Sequence, residues 1–231
     1  VVKSGTGALV FAGTANNTYN GGTVLSQGSL QFTNLGGAGT GALTIQGNSF
    51  YTGGVTVEAG RLVLGSNTAL GRGTTVTVLS GASLDLNNTY HGNADNGARR
   101  FNVVLAGAGD GTAANPALAN TNGGVPNASV GIFNLTLAAN ATFGGNGGRF
   151  DIGRVEGSEA YGAIASAAGQ TYTLTKVGSN QVNLRGRVSD LALVVNGGTV
   201  GFEDSDVGAS VSATVNTGAS LGTWGLRSVA A

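Results

Sequence analysis

The side chains that could do chemistry are few and scattered. His91 is the sole histidine, followed four residues on by Asp95 in an Asn- and Gly-rich stretch. Ser, His and Asp are all present, yet no serine is expected in a nucleophile elbow, and a triad needs a convergence that no spacing here predicts. His91 is therefore read as an exposed loop histidine. Cutting or eliminating a polysaccharide would use clustered carboxylates, or Arg and Lys, on one face of the rod. The acidic residues are Glu58, Asp85, Asp95, Asp110, Asp151, Glu156, Glu159, Asp190, Glu203, Asp204 and Asp206. They are sparse, and Glu58 and Arg61 are expected to point outward as solvated charges. The densest group, Glu203-Asp-Ser-Asp206, could offer hard oxygen ligands to Ca²⁺. A polar corner is the plainer reading. Gly144-Gly-Asn-Gly-Gly-Arg149 comes close to a calcium-binding glycine repeat but places arginine where the aspartate belongs. No catalytic residue, cofactor-binding residue or metal ligand is assigned.

Those residues must be positioned by whatever the rest of the chain builds, and the rest of the chain repeats. Tyr51-Thr-Gly-Gly-Val-Thr-Val-Glu-Ala-Gly-Arg-Leu-Val-Leu64 echoes Tyr19-Asn-Gly-Gly-Thr-Val-Leu-Ser-Gln-Gly-Ser-Leu-Gln-Phe32. The lead-in recurs as well, as Gly7-Ala-Leu-Val-Phe-Ala-Gly13 and Gly41-Ala-Leu-Thr-Ile-Gln-Gly47. Each phrase holds two short segments of alternating apolar and polar residues around a glycine turn. Alternation with period two is the mark of a strand. One such unit has too few apolar residues to close a core, so it must stack on copies of itself. Strands are predicted at 8–11, 23–25, 29–32, 42–45, 55–57, 61–64, 75–79, 83–86, 101–105, 172–176, 181–184, 191–195, 199–202, 211–215 and 220–224.

Composition agrees. The chain has 43 glycines in 231 residues but only 2 prolines, and the glycines punctuate pulses of Val, Leu, Ile, Thr and Phe. Glycine here marks corners, not a flexible tract. Eleven basic and eleven acidic residues cancel, with no basic stripe for nucleic acid; the one adjacent basic pair, Arg99-Arg100, is expected in a solvated loop. No apolar run approaches the roughly 18 residues of a membrane span. Cysteine is absent, which removes disulfides and thiolate chemistry; methionine is absent too, as expected of a processed or excised piece. No leader is visible at Val1-Val-Lys-Ser-Gly, so a mature extracellular product is expected.

The phrases at 7–32 and 41–64 resemble the passenger-associated repeat of bacterial autotransporter proteins. Gly169-Gln-Thr-Tyr-Thr-Leu-Thr-Lys-Val-Gly-Ser-Asn-Gln-Val-Asn-Leu-Arg-Gly186 is similar to another phrase of that family. Pro116-Ala-Leu-Ala-Asn120 followed by 132–144 resembles its connecting element. The resemblance implies a right-handed parallel β-helix, secreted across an outer membrane and often displayed at the cell surface.

Residues 1–231 are thus expected to form a single all-β solenoid, with coils about 4.8 Å apart and an irregular lateral insertion at about 89–130. The competing layout is an antiparallel sandwich of hairpins. The insertion and the 153–168 stretch with Glu156, Glu159 and Tyr161 are the first places to look for a binding surface. Asn and Thr at the corners are expected to satisfy turn backbone, and the aromatics look too dispersed for a sugar-stacking strip. The short termini supply no obvious cap, so coils are expected to continue or another copy to stack. The expected function is a non-catalytic structural and adhesive rod. Its partners would be a second copy or a surface or matrix ligand, protein or glycan, with no nucleic acid, no membrane insertion and no cofactor. A carbohydrate-active β-helix enzyme and an end-to-end filament are the alternatives.

Overall fold

The structure, a computed structural model, describes residues 2–3, 8–13, 17–19, 24–25, 29–35, 42–45, 50–51, 54–70, 75–89, 101–110, 112–123, 130–153 and 160–229. Every strand pairing among them is parallel. The chain winds through three faces in a fixed order. Val2–Lys3 lies on the first face, Ala8–Gly13 on the second and Asn17–Tyr19 on the third; Val24–Leu25 then returns to the first, beside Val2–Lys3. The second face runs unbroken through ten strands, from Ala8–Gly13 to Ser228–Val229, and the third through nine. The first face has three strands at the start and resumes at Gly131–Ile132 with five, in the same place in the winding order. This is a parallel β-helix. An antiparallel sandwich is excluded by the pairing alone.

Period two explains the core. On the second face Val55, Val76, Val103, Leu135, Ile164 and Val188 stand in register, and each is essentially inaccessible to solvent. On the third face the corresponding ladder runs Leu62, Leu84, Leu118, Phe143, Lys176 and Val195. Each fully buried leucine or phenylalanine contributes about 1.5–3 kcal/mol. Neighbouring coils supply the same type of side chain at the same height, so little is wasted on mismatch. Ten strands spaced about 4.8 Å apart make a stack roughly 45 Å long.

Lys176 is the exception within that ladder. Its stem lies among apolar side chains, and its Nζ donates to the corner carbonyls of Val177 (2.9 Å), Gly178 (3.0 Å) and Gly197 (3.2 Å). Burial lowers its ammonium to about 8 from an ordinary 10.5. A depressed base contributes its full stability above pH 10.5 and loses it as pH falls through 8. Raising the pH from 7 to 9.5 should therefore stabilise the fold by on the order of 2 kcal/mol. Denaturant midpoints at the two pH values test this. The gain should vanish in Lys176→Met, which keeps the stem and drops the charge.

The corners carry their own signature. Gly81-Ala-Ser-Leu and Gly218-Ala-Ser-Leu open with φ of +80° and +82°, and nothing lies within 4 Å of a Cβ placed on either glycine. Space is not the constraint there; conformation is. Gly81→Ala is expected to cost about 1–2 kcal/mol, and Gly81→Asn less, because asparagine tolerates the left-handed region. Thermal unfolding of the two variants gives the comparison. Asparagines also close corners between coils. Asn134 donates to Asn102 Oδ1 at 2.7 Å, and its own Oδ1 accepts the Ala163 N–H at 2.7 Å. Asp85, fully buried, accepts from Asn87 N (2.9 Å), Thr121 N (3.1 Å) and Thr121 Oγ1 (2.5 Å).

Sequence and structure agree closely on the longer strands: Ala42–Ile45, Val55–Val57, Thr75–Leu79, Leu191–Val195 and Ser220–Trp224 all form where period two places them. Val2–Lys3, Asn17–Tyr19, Phe50–Tyr51, Arg187–Ser189 and Asp206–Val207 escape the pattern because a short stretch with at most one aliphatic side chain displays no period, whereas Val55-Thr-Val57 carries two. Within 89–130, Asn102–Ala106 and Leu118–Ala119 pair with the coils on either side. His91, Asp95 and Arg99-Arg100 lie outside the described residues, as do Pro126, Glu156 and Glu159.

Candidate functional site

The resumed first face carries the most concentrated chemistry among the described residues. Its strands Phe150–Ile152, Gln181–Leu184, Thr199–Glu203 and Ser220–Trp224 align so that Phe150, Val182, Val200 and Leu221 share one inward level. The next position alternates to the outside and reads Asp151, Asn183, Gly201 and Gly222. Glu203 and Trp224 pair two residues further along. Arg149 precedes the first of these strands and Arg185 follows the second.

Two arginines and three carboxylates interlock there. Arg149 grips Asp151 in a bidentate fork, Nε to Oδ1 at 2.8 Å and Nη2 to Oδ2 at 2.9 Å. The same Nη2 reaches Glu203 Oε2 at 2.7 Å. Arg185 Nη1 donates to Asp151 Oδ2 at 3.1 Å, while its Nη2 lies 3.4 Å from Glu203 and 3.7 Å from Asp204. Asn183 gives its amide N–H to Glu203 Oε2, and Gln181 gives its own to Asn183 Oδ1 at 2.9 Å. Asp151 is completely covered. Burial pushes its carboxyl up to about 6, against the opposing pull of Arg149 and Arg185. Burial also works against the Arg149 charge, but Asp151 and Glu203 outweigh it and hold that guanidinium above its ordinary value.

Beside this network lies a recess of about 410 Å³ lined by Arg149, Gln181, Asn183, Glu203 and Trp224. The indole of Trp224 rests on a shelf made by Gly201 and Gly222. A Cβ on Gly222 would stand 2.8 Å from Trp224 Cη2, and one on Gly201 would collide with the ring outright. Any side chain at either position would lift the ring. Its other face is open, and Trp224 is 46% exposed.

The Glu203-Asp-Ser-Asp206 cluster does not act as one group. Glu203 turns to Arg149, Asp204 to Arg185, and Asp206 accepts from Arg227 and from Ser228 Oγ (2.8 Å). Ser205 is buried and donates to the Leu184 carbonyl. Among the described residues no three acidic or histidine side chains gather as a metal would require. Arg149, in the place of a calcium-loop aspartate, is a partner for Asp151. Glu58 and Arg61 are both half-buried, and Arg61 lies 3.8 Å from Asp85. Tyr161 meets the Arg227 guanidinium, 3.4 Å from its ring centre. One serine does stand in a Gly-x-Ser-x-Gly spelling, Ser220 between Gly218 and Gly222. It opens a β-strand, whereas a nucleophile elbow needs a strand-to-helix turn.

The sequence displays Asp151, Glu203 and Trp224 but not their meeting. The acidic residues that look sparse along the sequence include Asp151 and Glu203, which the fold brings from two coils apart to Arg149 and Arg185. The expectation of dispersed aromatics is met by a single ring instead of a strip. The available signal was the glycine at equal offsets, Val200-Gly201-Phe202 and Leu221-Gly222-Thr223, which only the coil register turns into a shelf.

Residues 1–32 and 38–64 match the passenger-associated-transport-repeat family. A stretch of 111 residues, 46% of this chain, is 34% identical to the adhesin BmaC autotransporter of Brucella suis biovar 1 (strain 1330). The chain spans 3% of that adhesin's length. No solved structure matches it. Matched repeats over the opening coils, a wholly parallel coil stack and the stretch shared with that adhesin make this chain similar to an autotransporter passenger β-helix, a cell-surface or extracellular structure.

Proposed function

We propose that the chain is a non-catalytic adhesive rod, one stack of coils from 1 to 231, with the parts of 89–130 outside its paired strands adding lateral contact surface. The coils act as a stiff spacer, and side chains on the outer faces hold a surface or matrix ligand or a second copy. The observation that carries this reading is the coincidence of passenger repeats with similarity to an adhesin over nearly half the chain. The enzyme alternative draws on the approach of Asp151 and Glu203 through Arg149. Against it, both oxygens of Asp151 are held by guanidinium groups and the residue is buried, which leaves Glu203 as the sole carboxylate among the described residues lining the recess. Acid–base cleavage of a glycosidic bond needs two.

The test is display of the chain on a non-adherent bacterium. Cells carrying it should be retained on plates coated with host extracellular matrix, above cells displaying an unrelated β-helix. Equal retention would overturn the adhesive reading. Purified protein incubated with a panel of polysaccharides should release no reducing ends or unsaturated products; release would overturn the non-catalytic one.

A further inference from the structure

We infer that the recess beside Trp224 is a binding subsite for a neutral glycan, with one pyranose ring stacked on the indole. The inference rests on the adhesive reading and names the chemistry of the ligand. Three observations carry it.

The first is the platform. Gly201 and Gly222 seat one face of the indole flat against the sheet and leave the other open. A large aromatic side chain 46% exposed on an outer face, immobilised from beneath, keeps its apolar π-surface in water at a standing cost. The C–H face of a pyranose is apolar and carries partial positive charge, so it complements the negative face of the ring. Little conformational entropy is lost on binding, because the glycine shelf has already fixed the ring.

The second is the rim. Sugar hydroxyls need donors and acceptors around the stacked ring, and Gln181, Asn183, Glu203 and Arg149 supply both within the same recess. Gln181 spends only an amide N–H on Asn183, so its carbonyl oxygen remains for a ligand hydroxyl. Asn183 and Glu203 are fixed by each other, and Arg149 is fixed by Asp151 and Glu203. Such a rim is preorganised. A volume of about 410 Å³ lies within the range of small-molecule sites and has room for about one or two sugar rings.

The third is charge. The Arg149 guanidinium is balanced by Asp151 and Glu203, and Arg185 by Asp151, Glu203 and Asp204. Among the described residues no surplus positive charge faces the recess, so a sulfated or sialylated sugar has nothing there to pair with, and Glu203 repels it. The site fits an uncharged glycan.

Trp224 is the chain's only tryptophan, so its emission reports on this site alone. The full chain would be titrated with lactose, chitotriose, maltotriose, cellotriose and mannotriose, and with sialyllactose and a heparin disaccharide as acidic arms. A saturable shift in emission with at least one neutral sugar is expected, and none with the acidic pair. Saturation-transfer NMR with the responding sugar then compares variants. Trp224→Ala should weaken binding roughly tenfold or more. Gly222→Val, which keeps the tryptophan but lifts it off its shelf, should weaken it several-fold. Thermal unfolding of both variants should stay near wild type, since Trp224 is outward and exposed.

The inference is overturned if no neutral sugar shifts the emission, if only the acidic sugars do, or if Trp224→Ala folds and binds the responding sugar unchanged. Retention on matrix that depends on Trp224 while no sugar binds would assign the recess to a protein ligand and also overturn it. Sugar binding without retention on matrix would sink the adhesive reading and leave the subsite standing. Retention without sugar binding and without dependence on Trp224 would do the reverse.

Discussion

Asp151→Ala is expected to lower the stability of the chain by about 3 kcal/mol at pH 7. The residue is wholly covered and holds two guanidinium groups, Arg149 at 2.8 and 2.9 Å and Arg185 at 3.1 Å. Breaking a buried ion pair costs more than making it gains, because the remaining charges stay desolvated without a counter-charge. The loss falls at the lower end of the usual range, since Glu203 and Asp204 still reach the same arginines. Arg185 has little slack, as its buried Nε already lacks a partner. Denaturant unfolding of wild type and variant gives the number, and a loss under about 1 kcal/mol would show that the network is not what fixes this face.

The pH dependence of that gap has a definite sign. A carboxyl raised to about 6 contributes its stability fully below its ordinary value of 3.8 and loses it as pH rises through 6. Moving from pH 7 to 5 should therefore widen the gap between wild type and Asp151→Ala by on the order of 1 kcal/mol. The raised value and the damage done by the alanine are two sides of one fact. The ionised Asp151 is poorly solvated where it stands, and it stands there because two arginines require it.

Phe143→Ala is expected to cost about 3–5 kcal/mol. The ring is fully buried in the third-face ladder, between Leu118 on one coil and Lys176 on the next. A solenoid coil cannot slide sideways to close a void, because backbone pairing to the coils above and below holds it at fixed spacing. The cavity would also lie alongside the Lys176 stem. Phe143→Leu, which keeps most of the volume, should cost about 1–1.5 kcal/mol. Thermal unfolding of the two variants separates cavity from chemistry. If both shift the midpoint equally, the ladder is not packed as the register indicates.

The repeated phrases were legible because they are local. Gly28-Ser-Leu-Gln-Phe32 and Gly60-Arg-Leu-Val-Leu64 show alternation within five residues, and the strands Ser29–Leu35 and Gly60–Leu64 form there. Alternation marks Lys176 only as the end of a strand, since it assigns a residue to a face without weighing its charge. Its burial follows from the three corner carbonyls waiting for its ammonium, which belong to Val177, Gly178 and Gly197 and converge only when two coils stack.

By itself, then, the sequence determined the fold class, the rise from one coil to the next and most of the longer strands, because period two and glycine corners act over a few residues. Only the tertiary structure decided the site. Arg149, Asn183, Glu203 and Trp224 belong to four different coils, and which of them meet depends on the number of residues spent in each turn between. Those turns are unequal, so no fixed spacing records the encounter. The shelf under Trp224 shows the same division: its two glycines are plain in the sequence, but register alone sets them side by side beneath one ring.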